Sequence, residues 1–250
     1  MLLVAEKLSL YLYGAVFLLP IFVGRTYHYT ATQTGMLFIP GSILTAMMMP
    51  FIGRQMAAGR SPKVLIFIGL ASLEVCMYIM TLFSPLSSQA DILVSLYVRG
   101  FALAFLFVPI NSSILSQFNG ANLGQVSGLL NLFRQLGGSA GVALVATLLN
   151  TRSHQNYVDL TAKVSLLNAN TQAAYYPLVN GFNNKMVDGM GMATAHEAAL
   201  KSLGARIQNQ VFMLSFNQLI WTMMAIFALA FIPWYFLEMK RKVTVVTDSH

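Results

Sequence analysis

Six apolar stretches, at roughly 8–24, 33–52, 64–84, 92–116, 125–149 and 211–236, occupy most of this 250-residue chain. Each approaches the ~20 residues that cross a ~30 Å hydrocarbon core as a helix. A lipid interior offers backbone groups no water to bond, so segments of this kind fold as helices. The expected fold is therefore all-α, one integral membrane domain over 1–250 built as a six-transmembrane-helix bundle. Composition agrees: 56% of residues are hydrophobic and 9% charged, against about 25% charged in ordinary soluble domains.

The formal charge of +7 does not point to nucleic acid, because the basic residues gather at span ends and in one long connection. Their placement reads instead as membrane orientation. Arg54, Arg60 and Lys63 occupy the 53–63 connection without an acid, and Lys240, Arg241 and Lys242 follow the last span. Cytoplasmic loops carry the excess of Lys and Arg, which predicts that both termini and a tail at 238–250 face the cytoplasm. The segment 150–210 is then an external loop, whose charges weigh little because long loops translocate regardless. Within it Leu200, Leu203 and Ile207 recur at helical spacing, so Ala195 to Asn209 reads either as an amphipathic helix leading into the last span or as a solvated polar loop. Cys76 is the only cysteine, which excludes a disulfide framework or a thiolate metal site within one chain.

The fifth span carries the most information. At about 100° per residue, Gly124, Ser127, Gly128, Asn131, Arg134, Gln135, Gly138 and Gly141 share one arc, and Leu129, Leu132, Phe133, Leu136 and Leu144 the opposite one. Gly124/Gly128 and Gly137/Gly141 are G-x-x-x-G pairs, a pattern that lets membrane helices approach closely. Tight packing accounts for the glycines, but Arg134 asks for more. A guanidinium at mid-depth costs about 2.5–3.5 kcal/mol on an insertion scale, so it must meet water, an acid, carbonyls or a ligand.

Two more charges fall within spans. Glu74 shares a stripe with Tyr78 and Thr81, and Arg99 shares one with Ser95 and Ala102. A buried carboxyl in polar company is a candidate proton carrier; the structural alternative is a Glu74–Arg99 pair between helices. Arg99 has a further alternative, reaching toward the headgroups. Pro40, Pro50 and Pro109 lie within or at the ends of spans, where each removes a backbone donor and permits a kink. Enzymatic signatures are absent: there is no nucleotide-phosphate loop, no H-E-x-x-H and no G-x-S-x-G, and His28, His154, His196 and His250 are scattered. The chain reads as no enzyme, with no cofactor and no metal site. Uphill movement of a solute would draw on an ion gradient or another subunit.

The fifth span also resembles a known family. Asn131, Arg134, Gly137, Gly138, Ser139 and Gly141, with Gly128 at its first Ser position, resemble the "S-x-x-N-x-x-R-x-x-G-G-S-x-G" signature of the EmrB/QacA-type drug:proton antiporters of the major facilitator superfamily. The span holding Arg99, Gly100 and Pro109 looks like that family's glycine-to-proline helix. Pro20, Tyr29, Thr30, Ala31, Gly35, Pro40 and Gly41 are similar to an earlier motif, and Asn217, Gln218 and Trp221 to one entering the final span. The likeness covers nearly the whole chain in order.

That resemblance implies the C-terminal half of a fourteen-span transporter, and hence an amino-terminal transmembrane half as partner; a fragment starting at an internal Met1 or a separate subunit would each fit. It further implies proton-coupled efflux of amphipathic or cationic drug-like compounds by alternating access, in the inner (plasma) membrane and powered by the proton gradient. In a Gram-negative host a periplasmic adaptor and an outer-membrane channel would join it. Arg134, Asn131 and Gln135 would line the cavity or the inter-bundle surface, with Glu74 and Arg99 as secondary polar contacts. The cytoplasmic gate motif is matched only at Gly53 and in its basic end at Arg60 and Lys63. Ala57 and Ala58 replace its Asp and Arg, Gly24 replaces a usual Gln, and Gln218 stands where an acid is frequent. The alternatives are a permease of the same superfamily for another small solute, or a structural membrane subunit without transport of its own.

Overall fold

The computed structural model describes residues 14, 16–116, 118, 123–164, 168–185 and 192–235. They form seven helices: α1 (Val16–Thr26), α2 (Ala31–Ala57), α3 (Pro62–Thr81), α4 (Gln89–Leu115), α5 (Leu123–Lys163), α6 (Ala169–Lys185) and α7 (Met192–Tyr235). Five of them, α2 to α5 and α7, are long and apolar enough to cross a membrane. The sixth expected span is represented by α1, whose predicted first half lies outside the described residues, as does the predicted tail at 238–250. No strand occurs among the described residues, as a chain dissolved in lipid requires.

Local chemistry sets the helix ends. Thr30 and Gln33 form a reciprocal capping box at the start of α2, and Ser88 and Asp91 form another at the start of α4. Each satisfies two amides that the first helical turn leaves unbonded. Asp91 thus has a structural task, accepting from the Ser88 amide at 2.8 Å. At the other membrane face α2 ends on Gly59, whose φ of 85° is a region open to glycine at little cost. The Gly59 amide donates to Met56 and the Arg60 amide to Gln55, at 3.0 and 3.1 Å, which is the Schellman closure. Pro62 then opens α3, where its missing donor costs nothing.

Between these ends α4 is central, packed on α2 and on α3, while α7 lies against α3 and α5. One core joins Leu18, Phe22, Leu73, Leu96, Leu106 and Phe216 among others. The Phe22 ring meets Phe83 at 5.1 Å and Phe216 at 5.0 Å, tying α1, the end of α3 and α7 together. On the same side the Tyr27 hydroxyl donates to the Ser87 carbonyl, bridging the α1–α2 and α3–α4 connections. Burial, then the neighbouring Tyr29 and Asp91, raises the Tyr27 pKa above its ordinary 10.0, so the phenol keeps the proton it donates.

The segment 150–210 corrects the expectation of a loop. α5 runs 41 residues and α7 runs 44, or about 60 and 66 Å at 1.5 Å per residue, twice what a bilayer needs. Their excess lengths emerge on one side, and α6 packs there on α7. Tyr175, Val179 and Ala199 form a small core of their own, and the Tyr175 hydroxyl lies 2.8 Å from His196 Nδ1. The buried face of this part of α7 is Ala195 and Ala199 with partly covered Leu203, whereas Leu200 is 53% exposed. Small alanines let the Tyr175 ring approach, so the leucine stripe read from spacing is displaced from the actual contact.

Candidate functional site

Arg134 projects from α5 toward α4. Its Nη2 donates to Asn111 Oδ1 at 2.6 Å and its Nη1 to Asn131 Oδ1 at 3.4 Å. The guanidinium carbon stands 5.2 Å from the centroid of the Phe107 ring. Asn111 is itself oriented, since its Nδ2 donates to the Phe107 carbonyl one turn back at 2.8 Å. A cation is thus held by two amide oxygens and an aromatic face, an arrangement that attracts it without neutralising it. Among the described residues no acid pairs with it: the ion pair found there, Glu197–Lys201 at 2.8 Å, lies on the extension of α7.

Asn111 and Phe107 also line an open cleft of about 800 Å³ between α2, α4 and the start of α5, with Met49, Ser112, Leu115 and Leu123. Its wall is apolar with a few convergent polar groups, the usual make-up of a small-molecule site. Asn131 and Gln135 are exposed on α5, one joined to Arg134 and the other without a described partner. Asn111 was missed by sequence reasoning. An amide inside an otherwise apolar span was a visible signal, but its pairing with a residue 23 positions away was not.

The other two intramembrane charges behave differently. Arg99 is 8% exposed and lies 4.4 Å from the centroid of the Phe38 ring, with Nη1 at 3.5 Å from the Val16 carbonyl and Nε unpartnered. It turns into the bundle, which corrects the headgroup alternative. Glu74 is half-buried, with Oε1 buried and unpartnered. The Glu74–Arg99 pair does not form. Cys76 is the α3 residue that meets α4 here, its thiol donating to the Ser95 carbonyl at 3.3 Å, and two residues along a helix turn a side chain by about 200°.

The glycines are also redistributed. Gly124 and Gly128 are exposed, and a Cβ added to either would meet nothing within 4 Å. Their pairing therefore makes no helix contact among the described residues. Gly137, Gly138 and Gly141 are buried; a Cβ on Gly14 would come within 3.3 Å of the Gly141 carbonyl oxygen. The tightest approach lies elsewhere, between α2 and α4. A Cβ on Gly100 would sit 2.4 Å from the Gly41 carbonyl oxygen, and one on Gly41 2.8 Å from that of Leu96. Thr45 Oγ1 lies 2.9 Å from both the Gly41 and Gly100 carbonyls. In the connection after α2, Gly53 has open space around it, Arg60 is exposed and Lys63 is half-buried.

These features agree with the comparisons to known proteins. The chain is 30% identical over 216 residues to the multidrug export protein EmrB of Escherichia coli K12, covering 86% of this chain and 40% of that protein. It is 25% identical over 224 residues to EmrB of Haemophilus influenzae, covering 89% and 42%. To the lincomycin resistance protein LmrB of Listeria monocytogenes it is 23% identical over 180 residues, covering 72% and 37%. The chain thus spans about two fifths of the length of these relatives. The family profile described as Major Facilitator Superfamily matches residues 2–142, more than half of its length, and with the all-helical membrane fold this shows that the chain belongs to the Major Facilitator Superfamily.

Proposed function

We propose that this chain is the C-terminal six-helix half of a secondary active multidrug exporter. The complete protein would exchange amphipathic or cationic compounds for protons by rocking this bundle against a second one around a midplane site. Arg134 carries the reading: a half-covered intramembrane cation, held by Asn111 and Phe107 at the edge of an open cleft. The similarity to proteins named for drug export and drug resistance supports the substrate class. The exposed glycines and amides of α5 give the second bundle a face on which to pack, and Arg134, Asn131 and Gln135 a cavity to line. Proton flow would supply the energy, with no bound cofactor.

In this reading the Arg54, Arg60 and Lys63 side of the inner membrane is cytoplasmic. The helical extension of α5, α6 and α7 then faces outward, toward a periplasmic adaptor and outer-membrane channel where the host has them. The test is dye export from everted vesicles holding the complete transporter, driven by an imposed proton gradient. Gradient-dependent export that Arg134→Ala abolishes at unchanged protein level is the expected result; undiminished export removes Arg134 from the mechanism. One observation favours a second reading, a permease for an organic anion: the cleft lies beside a cation and has no carboxylate among its lining residues. Uptake of a labelled organic anion, without dye export, would select it.

A further inference from the structure

Glu74 is the one carboxylate of α3, and its neighbours fix its position in the bundle. Seven residues on, two helical turns away on the same flank, the Thr81 carbonyl accepts from Asn217 Nδ2 of α7 at 3.1 Å. Glu74 therefore lies on the flank of α3 turned toward α7, about 10 Å deeper along the helix. Cys76 points the other way, into the contact with α4, where its thiol donates to the Ser95 carbonyl at 3.3 Å. Beside Glu74, Leu73 and Met77 are buried while Val75 and Tyr78 are exposed, so the carboxyl stands at the edge of the helix seam.

No cation faces it among the described residues. On α4, Asp91 is engaged in the capping box, Tyr97 is exposed, and Arg99 faces Phe38. On α7, His196, Glu197, Lys201 and Arg206 all precede Asn217, beyond the bond that marks the outer end of the seam; 207–235 contains no charged residue. On α1, Arg25 lies 5.5 Å from the Phe212 ring centroid at the same outer end. On α3 itself, Lys63 is three turns away and Tyr78 one turn on. Glu74 Oε1 is buried with no hydrogen-bond donor among the described residues, which penalises a carboxylate relative to a neutral carboxyl.

We propose that Glu74 is a proton-binding site of this half. The carboxyl holds its proton while the α3–α7 seam is closed and releases it when the seam admits water. Use of that proton for transport rests on the antiport reading; its binding does not.

The experiment uses the complete transporter in proteoliposomes and the lipid-soluble reagent dicyclohexylcarbodiimide. A protonated carboxyl adds across one C=N bond, its proton passing to nitrogen and its oxygen to the central carbon, and an acyl shift then gives a stable N-acylurea. Peptide mass mapping at pH 7.5 should find Glu74 modified at least ~10-fold more than the exposed Glu197, the difference a unit of proton affinity makes. Modification of Glu74 appearing only below its ordinary ~4.3 would overturn the proposal. A second measurement needs no reagent. Glu74→Gln preserves the shape and charge of the neutral acid, so its Tm at pH 6.0 should match that of the unsubstituted protein. A Tm higher by several degrees would mean that the native group is a carboxylate, and overturns the proposal independently. In dye export, Glu74→Gln should flatten the dependence on pH between 6 and 8. An unchanged pH profile would overturn the transport role alone, and absence of export by the unsubstituted protein would overturn the antiport reading while labelling and Tm still decide the site.

Discussion

The α2–α4 crossing and the outer face of α5 use the same residue type for opposite ends. At the crossing, Gly41 and Gly100 bring two backbones so close that an added Cβ at Gly100 would stand 2.4 Å from a carbonyl oxygen. On α5, Gly124 and Gly128 border open space and Arg134 is only half covered. A glycine pair in a membrane helix therefore marks a place where something can come close. Whether that something belongs to the same bundle is a separate fact, settled by contacts. The first region is finished within this chain, and the second is shaped for a ligand, water or another bundle.

The largest effect that would break this contrast is at the crossing. Gly100→Ala should destabilise the protein by about 3 kcal/mol or more, because backbone rather than a flexible side chain blocks the new methyl. Thermal unfolding in detergent, or loss of monodisperse protein, measures it; an unchanged Tm would mean that the helices part freely. Arg134→Ala comes next and should separate function from stability. Export should fall at least ~10-fold, the equivalent of about 1.4 kcal/mol, with unfolding nearly unchanged since Asn111 opens on the cleft. Arg134→Lys should restore little, because a lysine lacks the planar fork that reaches both amides. Tyr27→Phe removes one hydrogen bond between two connections and should cost about 1 kcal/mol, read as a small drop in Tm.

The smallest expected effect sharpens the comparison most. Gly128→Ala on an open helix face should stabilise the bundle by up to about 1 kcal/mol through helix propensity alone. In the complete transporter the same substitution should lose that gain if a second bundle packs there. A parallel Tm series on the two forms distinguishes a covered face from a solvent-facing one, and equal gains in both would place the inter-bundle surface elsewhere.

Much of the fold was legible because lipid leaves few options. Apolar runs of suitable length carry a local reason to be helix; the Ser88–Asp91 cap and the Gly59–Pro62 turn rest on equally local chemistry but came to light only in the structure. Arg134 was legible as a functional candidate because its cost in lipid is a property of the residue alone. Its partners were not, since Asn111 and Phe107 lie on another helix. The same limit explains Glu74 and Arg99: both were recognised as costly, but helix rotation turns one toward α7 and the other toward Phe38. Leu200 failed for a related reason, as periodicity gives a face without saying which neighbour lies opposite.

The order of residues by itself determined that this chain is a helical membrane protein, where its apolar spans lie, and which side chains are too polar for lipid to ignore. Those properties depend on solvent and on neighbours within a turn or two. The tertiary structure decided which glycines meet a backbone, that Arg134 is held by Asn111 beside a cleft, and that Glu74 faces no cation among the described residues. These depend on the rotation and crossing of helices far apart in sequence, set by packing a whole bundle where no hydrophobic effect drives helix association.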